Sequence, residues 1–337
     1  MKVLFTTSRG LFQQRLAEAA IPPGIEVEFI RDPTKEQVSD QLRNYDVLIS
    51  ERAGVIDASV INSAPNLKLI QRLGSYTADI DLRAAKLAGI PVCSMPVRGC
   101  VNVAEHLVWQ MLSMSRRARE QMEIVAQAKD FGVQSKRSDE DTFAYNWSGR
   151  RNLKGLQDAL VGILGFGEIG IELARRLRAF ECRVLYNKRT RLPEQAEKEL
   201  AVTYYEPDQL VSQCDFLVTL LPYSTVTDCS INARMFDMMP RGSFLAHCGG
   251  SGTVDEDALI AALRSGHLGG AALDTYTFEP MRSNDPLLEL AGDPMANLFL
   301  TPHTAAGAGE SKRVGRAEDF DNIVAVAANA PLIHRVV

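Results

Sequence analysis

Three glycines near the middle of the chain have a spacing suited to binding phosphate groups. Gly165, Gly167 and Gly170 form a G-x-G-x-x-G pattern between an apolar run and a helical pattern over 171–179. In a strand–turn–helix unit, these glycines permit a tight turn, close approach of the backbone to a pyrophosphate, and close helix packing. The pattern therefore predicts a dinucleotide site. Its turn comprises Gly165, Phe166, Gly167, Glu168 and Ile169.

The end of the next predicted strand bears on which dinucleotide binds. Such a strand usually ends about 20 residues after the glycines with an acid that binds ribose hydroxyls. Here Asn187 stands at that place, followed by Lys188, Arg189 and Arg191. Asn187 can still hydrogen-bond a ribose, and the cations can neutralise a 2′-phosphate. We expect NADP or NAD as cofactor, with NADP slightly favoured; a solvated charged loop is the alternative.

Short apolar runs alternate with helical patterns along most of the chain. The strand candidates of a first series are 3–7, 27–30, 46–50, 67–73 and 91–95. Those of a second series are 159–165, 182–187, 216–222, 243–247, 270–276 and 297–303. One amphipathic helix, 101–118, joins the two series. This alternation predicts an α/β fold with two doubly wound parallel-sheet domains, Rossmann- or flavodoxin-like, and an interdomain cleft.

Composition and charge exclude several classes of function. The 337 residues carry a net charge of −5, which argues against nucleic acid or a membrane surface as partner. The six cysteines form no C-x-x-C pair, so neither a metal site nor a disulfide framework is predicted. There is no apolar run of about 18 residues and no signal-peptide pattern at the start, so we expect a cytoplasmic protein.

Several further motifs follow one another in order. They read VAEH (103–106), GILGFGEIG (162–170), LP (221–222), VDEDALIAALRSGHLGGAALD (254–274), FEP (278–280), PLLEL (286–290) and TPHTAAGAG (301–309). With them the chain resembles the D-isomer-specific 2-hydroxyacid dehydrogenases, the group containing phosphoglycerate, glyoxylate/hydroxypyruvate and formate dehydrogenases. The likeness covers almost the whole chain. It implies a catalytic domain of residues 1–99 plus 305–337 and a dinucleotide-binding Rossmann domain of residues 100–304.

The resemblance also implies an activity and the residues that carry it. The protein would be an NAD(P)-dependent dehydrogenase or reductase acting on CH–OH or C=O, with His303 as acid/base and Glu279 as its partner. A carboxylate beside an imidazole favours the imidazolium and fixes its tautomer, so the pair can exchange a proton with a carbonyl oxygen. The other implied cofactor contacts are Leu221, Pro222, His247, Cys248, Gly249 and Asp274. Family members are commonly homodimers, in which Trp109, Met111 and Met114 would lie at the interface or in the core.

Two departures from the family pattern concern the group that holds the substrate carboxylate. The family reads N-T-A-R-G-G before V-D-E, and alignment on Val254 places Gly250 at the arginine. That arginine normally forks onto the substrate carboxylate and carbonyl. In the turn that usually reads G-x-G-Y-D-N, the chain has Gly74, Ser75 and Tyr76. Both usual carboxylate holders are therefore altered, while the proposed acid/base pair is retained.

Three interpretations follow from these departures. The protein is a dehydrogenase or reductase for a carbonyl or alcohol that lacks the usual 2-oxo carboxylate. Alternatively, it is a 2-hydroxyacid dehydrogenase in which Arg98 replaces the missing arginine, with Arg72 as the weaker candidate. Arg98 can also be interpreted as a solvated loop residue without a role in the site. In the third, it is a weakly active NAD(P)-binding sensor or interaction protein. In the first two, a small-molecule substrate contacts Gly74, Ser75, Tyr76 and Arg98.

Overall fold

The chain forms two compact units in the computed structural model, which describes residues 1–51, 54–307 and 316–337. Unit 1 comprises Met1–Cys100 and Ala308–Val337, and unit 2 comprises Val101–Gly307. The last two residues of the motif 301–309, and residues 310–315 after it, lie outside the described residues. Each unit is built on a parallel sheet, so the predicted fold class is confirmed.

Unit 1 contains a parallel sheet whose described strands are ordered β2-β1-β3-β4-β5. They are β1 (Lys2–Thr7), β2 (Glu26–Arg31), β3 (Val47–Glu51), β4 (Leu69–Leu73) and β5 (Val92–Met95). Every residue of β3 and β4 is buried, as expected when helices cover both faces of a parallel sheet. This strand order is that of a flavodoxin-like doubly wound fold, with its reversal between β1 and β3.

Unit 1 also contains helices, three of which start at polar side-chain caps. The helices are α1 (Leu11–Glu18), α2 (Lys35–Leu42), α3 (Ala58–Asn62), α4 (Leu82–Leu87) and α13 (Asp321–Ala327). Thr34 forms a capping box with Gln37, while Asp57 and Asp81 accept backbone N–H groups at the starts of α3 and α4. The buried Asn322 of α13 donates to Gln71 of β4, which fixes this helix against the sheet.

Unit 2 contains a parallel sheet whose described strands are ordered β12-β11-β10-β9-β6-β7-β8. They are β6 (Leu160–Leu164), β7 (Arg183–Asn187), β8 (Val202–Tyr204), β9 (Phe216–Thr219), β10 (Phe244–His247), β11 (Gly270–Leu273) and β12 (Leu298–Leu300). The order reverses between β6 and β9, which is the Rossmann arrangement with an additional edge strand. The strand order therefore brings the loops after β6 and β9 together at the reversal.

The helices of unit 2 follow its strands, and one long helix enters it from unit 1. They are α5 (Arg98–Ser115), α6 (Ala118–Ala126), α7 (Glu168–Ala179), α8 (Glu194–Leu200), α9 (Pro207–Val211), α10 (Ala233–Met238), α11 (Glu256–Arg264) and α12 (Pro286–Gly292). Arg117, with φ of 51°, separates α5 from α6, so the predicted 101–118 helix ends slightly earlier. Met111 and Met114 are buried, whereas Trp109 is 44% exposed. Within the described part of the chain, no helix is long and apolar enough to cross a bilayer.

Candidate active site

The glycine-rich loop has the geometry that a dinucleotide requires. Gly165 has φ of +92°, and a Cβ there would lie 2.7 Å from the carbonyl of Leu220. At Gly167, which caps α7, a Cβ would meet nothing within 4 Å, so the loop faces open space. Gly170 lies against the buried ring of Phe166. The first-turn N–H groups of a helix as long as α7 can receive a pyrophosphate at this opening.

The residues after β7 lie at the predicted ribose end of this site. Asn187 donates to the carbonyl of Tyr205 at 2.9 Å, and its own carbonyl accepts from the N–H groups of Gly165 and Phe166. Lys188 and Arg189 follow it in a bend. Arg191 forks onto Glu197 with two 2.8 Å hydrogen bonds. Arg191 is therefore held by a carboxylate of its own unit, and the contacts of Lys188 and Arg189 with a phosphate stay predictions.

The ends of β9 and β10 pack closely, because glycines occupy the contact. The N–H of Gly250 donates to the carbonyl of Leu221 at 2.8 Å. A Cβ at Gly249 would lie 3.0 Å from that same carbonyl oxygen. Cys248 donates its thiol to Gln110 at 3.7 Å, and burial raises the pKa of the thiol. The thiol is therefore protonated at neutral pH and is not a nucleophile.

His247 lies beneath this loop and uses both ring nitrogens within it. The ring is buried, with Nδ1 2.7 Å from the hydroxyl of Thr219 and Nε2 2.9 Å from that of Thr275. Thr275 also donates to the carbonyl of Gly249 at 3.0 Å. Each of these hydrogen bonds has one donor and one acceptor if Thr219 donates to Nδ1 and Nε2–H donates to Thr275. In this arrangement the imidazole is neutral. Burial lowers the pKa of His247 to about 4, in agreement with this assignment.

The two residues predicted to exchange the proton are in contact. His303 Nδ1 lies 2.5 Å from Glu279 Oε2, and the imidazole is 57% exposed. The other carboxylate oxygen, Oε1, accepts the backbone N–H of Tyr276 and the hydroxyl of Ser251, each at 2.9 Å. Burial raises the pKa of Glu279, but these hydrogen bonds outweigh it and the net pKa is lowered. The carboxylate is therefore ionised at neutral pH and holds the imidazole.

Asp274 organises the segment that carries His303. This buried carboxylate accepts the hydroxyl of Thr301 at 2.6 Å and the N–H groups of Thr304 and Ala305 at 2.9 and 2.8 Å. The phenol of Tyr276 lies 2.7 Å from the carbonyl of Thr301. Both oxygens of Asp274 thus accept from the His303 segment, and the contact of this residue with the cofactor stays a prediction.

Position 250 leaves no room for a side chain. A Cβ built on Gly250 would collide with the backbone nitrogen of Tyr223 and would lie 2.9 Å from the Cβ of that residue. The Gly250 carbonyl accepts the hydroxyl of Thr253 at 2.9 Å, so the peptide is fixed on both sides. The segment that follows β9 therefore occupies the space that a side chain at this position needs.

The remaining predicted substrate contacts lie in unit 1. Gly74, with φ of +137°, donates to the carbonyl of Met95 at 2.7 Å and precedes the buried Ser75 and the partly buried Tyr76. The side chain of Arg98 is 83% exposed, with Nε 3.4 Å from Glu318. Arg72 is buried and pairs with Asp79 at 2.6 Å. The latter pair excludes Arg72 as an available cation.

Arg98 lines a cavity of about 330 Å³ within unit 1. The charged residues that line it are Arg9, Arg98 and Arg316 with Glu51, Glu318 and Asp319. Arg9 lies 3.1 Å from Glu51, and Arg316 lies 2.8 Å from Glu51 and 2.6 Å from Asp319. Each of the three guanidinium groups therefore faces a carboxylate, and the charges of the described lining balance.

Several residues of the site were not predicted from the sequence. They are Thr219, Tyr223, Ser251, Thr275, Tyr276 and Thr301. Ser251 had a detectable signal, since it is the first hydroxyl residue after the two glycines that follow Cys248. The others act through contacts between distant segments. In the described ranges, no cluster of histidine, cysteine and acidic residues is suited to hold a metal ion.

Comparison with known proteins assigns the family. Residues 108–305 match the model of the D-isomer specific 2-hydroxyacid dehydrogenase, NAD binding domain. The chain is 31% identical over 320 residues to a D-3-phosphoglycerate dehydrogenase of Archaeoglobus fulgidus, covering 92% of this chain and 56% of that protein. It therefore spans little more than half the length of that relative. It is 30% identical over 286 residues to a glyoxylate reductase of Thermococcus onnurineus, covering 85% of this chain and 80% of that protein.

The solved structures agree with this assignment. A protein of Thermus thermophilus matches with a TM-score of 0.53 and 29% identity, covering 100% of both chains. The predictions of a nicotinamide-dependent oxidoreductase family and of a Rossmann cofactor domain are thereby confirmed. The chain belongs to the D-isomer-specific 2-hydroxyacid dehydrogenase family.

Proposed function

We propose that this protein is an NAD(P)-dependent dehydrogenase or reductase for a carbonyl or alcohol that lacks the 2-oxo carboxylate. The observation that carries the proposal is the collision of any Cβ at position 250 with the backbone of Tyr223. The family's carboxylate-binding arginine aligns with this position, while the His303–Glu279 pair is intact. Proton transfer is therefore retained, and the usual anion holder is replaced by backbone.

The acid/base pair works through its fixed tautomer. Because Nδ1 faces the ionised Glu279, Nδ1–H donates to the carboxylate and Nε2 is the nitrogen left to exchange a proton with the substrate. The imidazolium donates Nε2–H to the carbonyl oxygen in reduction, and the neutral ring accepts the hydroxyl proton in oxidation. A reduced nicotinamide cofactor, when bound by the glycine-rich loop of unit 2, would supply the hydride that the carbonyl carbon accepts. Solvent then restores the proton to the exposed ring.

We propose that unit 2 holds the cofactor and that NADP is preferred. The open space at Gly167 and the amino end of α7 fit a pyrophosphate. Lys188 and Arg189 follow Asn187, where an acid would otherwise select against a 2′-phosphate. Gly74, Ser75 and Tyr76 of unit 1 are proposed to contact the substrate.

The cofactor preference is tested with a pair of arginine variants. Arg189→Ala is expected to weaken NADPH binding about tenfold, the size of one charge-assisted hydrogen bond, with little effect on NADH. Arg191→Ala is the matched control, because its guanidinium is held by Glu197. Dissociation constants from cofactor fluorescence decide the point. Equal weakening of both cofactors by Arg189→Ala would show that this arginine does not read the phosphate.

The reaction is tested by oxidation of NADPH and of NADH in separate assays. The panel pairs glyoxylate, pyruvate and hydroxypyruvate with ketones and aldehydes that lack a carboxylate. We expect turnover of the second group, reduced at least about 100-fold in His303→Ala. Robust turnover of the 2-oxo acids would overturn the proposal in favour of a substitute cation, with Arg98→Ala as the next variant. Cofactor binding without turnover of any compound would favour the sensor interpretation.

A further inference from the structure

A large cavity of unit 2 begins at the acid/base pair. It has a volume of about 610 Å³, within the range of small-molecule sites. Glu279 and His303 lie on its wall, and Thr301 adds one hydroxyl, which is bonded to Asp274. The rest of the described lining is apolar and consists of Tyr276, Pro280, Met281, Leu288, Leu300 and Pro302. We call this cavity the Met281 pocket.

The position of the Met281 pocket follows from the strand order. Its residues lie in the segment after β11, on α12, or at and beyond the end of the edge strand β12. Asn187, at the predicted ribose end, is the last residue of β7, which is four strands from β11 and hence roughly 20 Å away. A dinucleotide laid across the reversal at β6 and β9 has its redox end towards β11. The pocket therefore lies beyond that end, on the side of His303.

The charges around the Met281 pocket argue against an anionic occupant. Among the described residues that line it there is no lysine or arginine, while Glu279 is ionised. Arg282, next in sequence to Met281, has its guanidinium stacked 3.2 Å from the ring of Phe278. A substrate carboxylate in this pocket would face the Glu279–His303 pair, whose charges cancel when the ring is an imidazolium, and no lysine or arginine of the described lining would bind it.

We propose that the Met281 pocket binds the hydrocarbon body of a neutral ketone or aldehyde, or of the matching alcohol, whose oxygen lies at His303. The proposal rests on the proposed function and deepens it by naming the substrate class. The buried ring of Tyr276 forms part of the wall, and Leu288, on α12, is 40% exposed to solvent. Apolar substituents would be removed from water there, and each methylene would add to the affinity.

The first test is a series of methyl ketones from acetone to 2-octanone, assayed with saturating NADPH or NADH. We expect kcat/KM to rise with chain length, by up to about fourfold for each methylene that enters the pocket. Glyoxylate and pyruvate serve as the anionic arm of the series. A kcat/KM that does not change with chain length would overturn the assignment of the pocket, even if ketones are turned over.

Met281→Trp reduces the volume of the Met281 pocket and leaves both residues of the acid/base pair unaltered. We expect it to lower kcat/KM for 2-octanone by about tenfold or more and to change kcat/KM for acetone by less than about twofold. The reason is that 2-octanone loses contacts to its methylenes that together contribute over about 1.4 kcal/mol, whereas acetone does not reach them. Met295→Trp is the control, because Met295 is half exposed in unit 2 and lines a different cavity. An equal loss for both ketones would contradict the pocket.

A binding measurement separates the pocket from the reaction. Titration calorimetry of 2-octanone into the protein saturated with NADP⁺, a combination that cannot exchange a hydride, is expected to show binding that Met281→Trp abolishes and His303→Ala retains. Such binding without turnover of any carbonyl would sink the proposed function but keep an apolar ligand site. Absence of binding in the unaltered protein, with ketone turnover retained, would overturn the pocket alone.

Discussion

The carboxylate of Glu279 is held by three donors that come from different parts of the chain. His303 contacts one oxygen, while the N–H of Tyr276 and the hydroxyl of Ser251 reach the other. Ser251 lies one residue after Gly250, the position that the sequence motifs predict to align with the family's arginine. A neutral hydroxyl from this loop thus supports the proposed acid/base pair.

Removal of this hydroxyl should weaken the pair. Ser251→Ala takes away a donor that favours the ionised carboxylate, so the pKa of Glu279 rises towards its ordinary value. We expect the acidic limb of the pH profile of kcat/KM to move to higher pH and its maximum to fall about fivefold, the worth of one hydrogen bond. Ser251→Thr, which keeps the hydroxyl, should restore the profile. An unchanged profile in Ser251→Ala would exclude this role.

His247 should make stability depend on pH. The unfolded histidine binds a proton near its ordinary pKa of about 6.5, whereas the folded ring does so only near 4. The unfolded state therefore binds more protons between these values, and stability is lost as the pH falls through this window, by roughly 3 kcal/mol. His247→Asn removes the titration. Urea unfolding should show the stability gap between the two proteins narrowing from pH 7 to pH 4.5.

A stability difference that stays constant from pH 7 to pH 4.5 would mean that the His247 ring is protonated equally in the folded and the unfolded protein. The stability of the variant at pH 7 must be measured too, because an asparagine side chain at this position would be too short to bridge Thr219 and Thr275. We therefore expect the His247→Asn variant to be less stable at neutral pH.

The segments after β9 and β10 pack directly against each other, and this limits what a new arginine at position 250 can restore. Gly250→Arg places a Cβ against the backbone of Tyr223, so either segment must move. We expect a loss of about 1–3 kcal/mol in the free energy of unfolding and no gain of turnover with glyoxylate. Gly292→Ala is the control, since a Cβ there meets nothing within 4 Å. Unchanged stability with new glyoxylate activity would refute this account.

The strands were predictable because apolar runs in parallel sheets are buried on both faces. The runs at 46–50 and 67–73 correspond to β3 and β4, with borders shifted by one or two residues. β8, with only three residues, gave no such run and was missed. Borders shifted where the apolar run continues into a loop, as at Leu220 to Pro222 after β9.

The site was predictable in part, for a different reason. The spacing of Gly165 and Gly167 indicates in the sequence what the backbone must do there, and His303 with Glu279 followed from the family motifs. The contact of Gly250 with Tyr223 joins segments 27 residues apart, and that of Ser251 with Glu279 joins segments 28 apart. Residue types alone do not specify such contacts, because they depend on how neighbouring strands are aligned.

The assembly of the chain is the remaining expectation from the family resemblance. Met111 and Met114 are buried in the core, so they do not form an interface. Exposed apolar side chains instead lie on α5, on α6 and in the segment after α6. They are Trp109, Met122, Val125, Val133, Phe143 and Tyr145. Met122 and Val125 are 71% and 65% exposed on α6. Because these two residues are three positions apart on α6, they lie on the same face of the helix.

We expect the protein to sediment as a homodimer of 37.1 kDa chains, with α6 at the interface. The double variant Met122→Asp, Val125→Asp would place two charges in the contact and should shift the equilibrium to monomer, because a buried unpaired charge costs several kcal/mol. Leu87→Asp is the control, since Leu87 is 80% exposed on α4 of unit 1. A monomer at all concentrations would contradict the homodimer, and a double variant that stays dimeric would exclude α6, because two-fold symmetry would repeat each added charge on both sides.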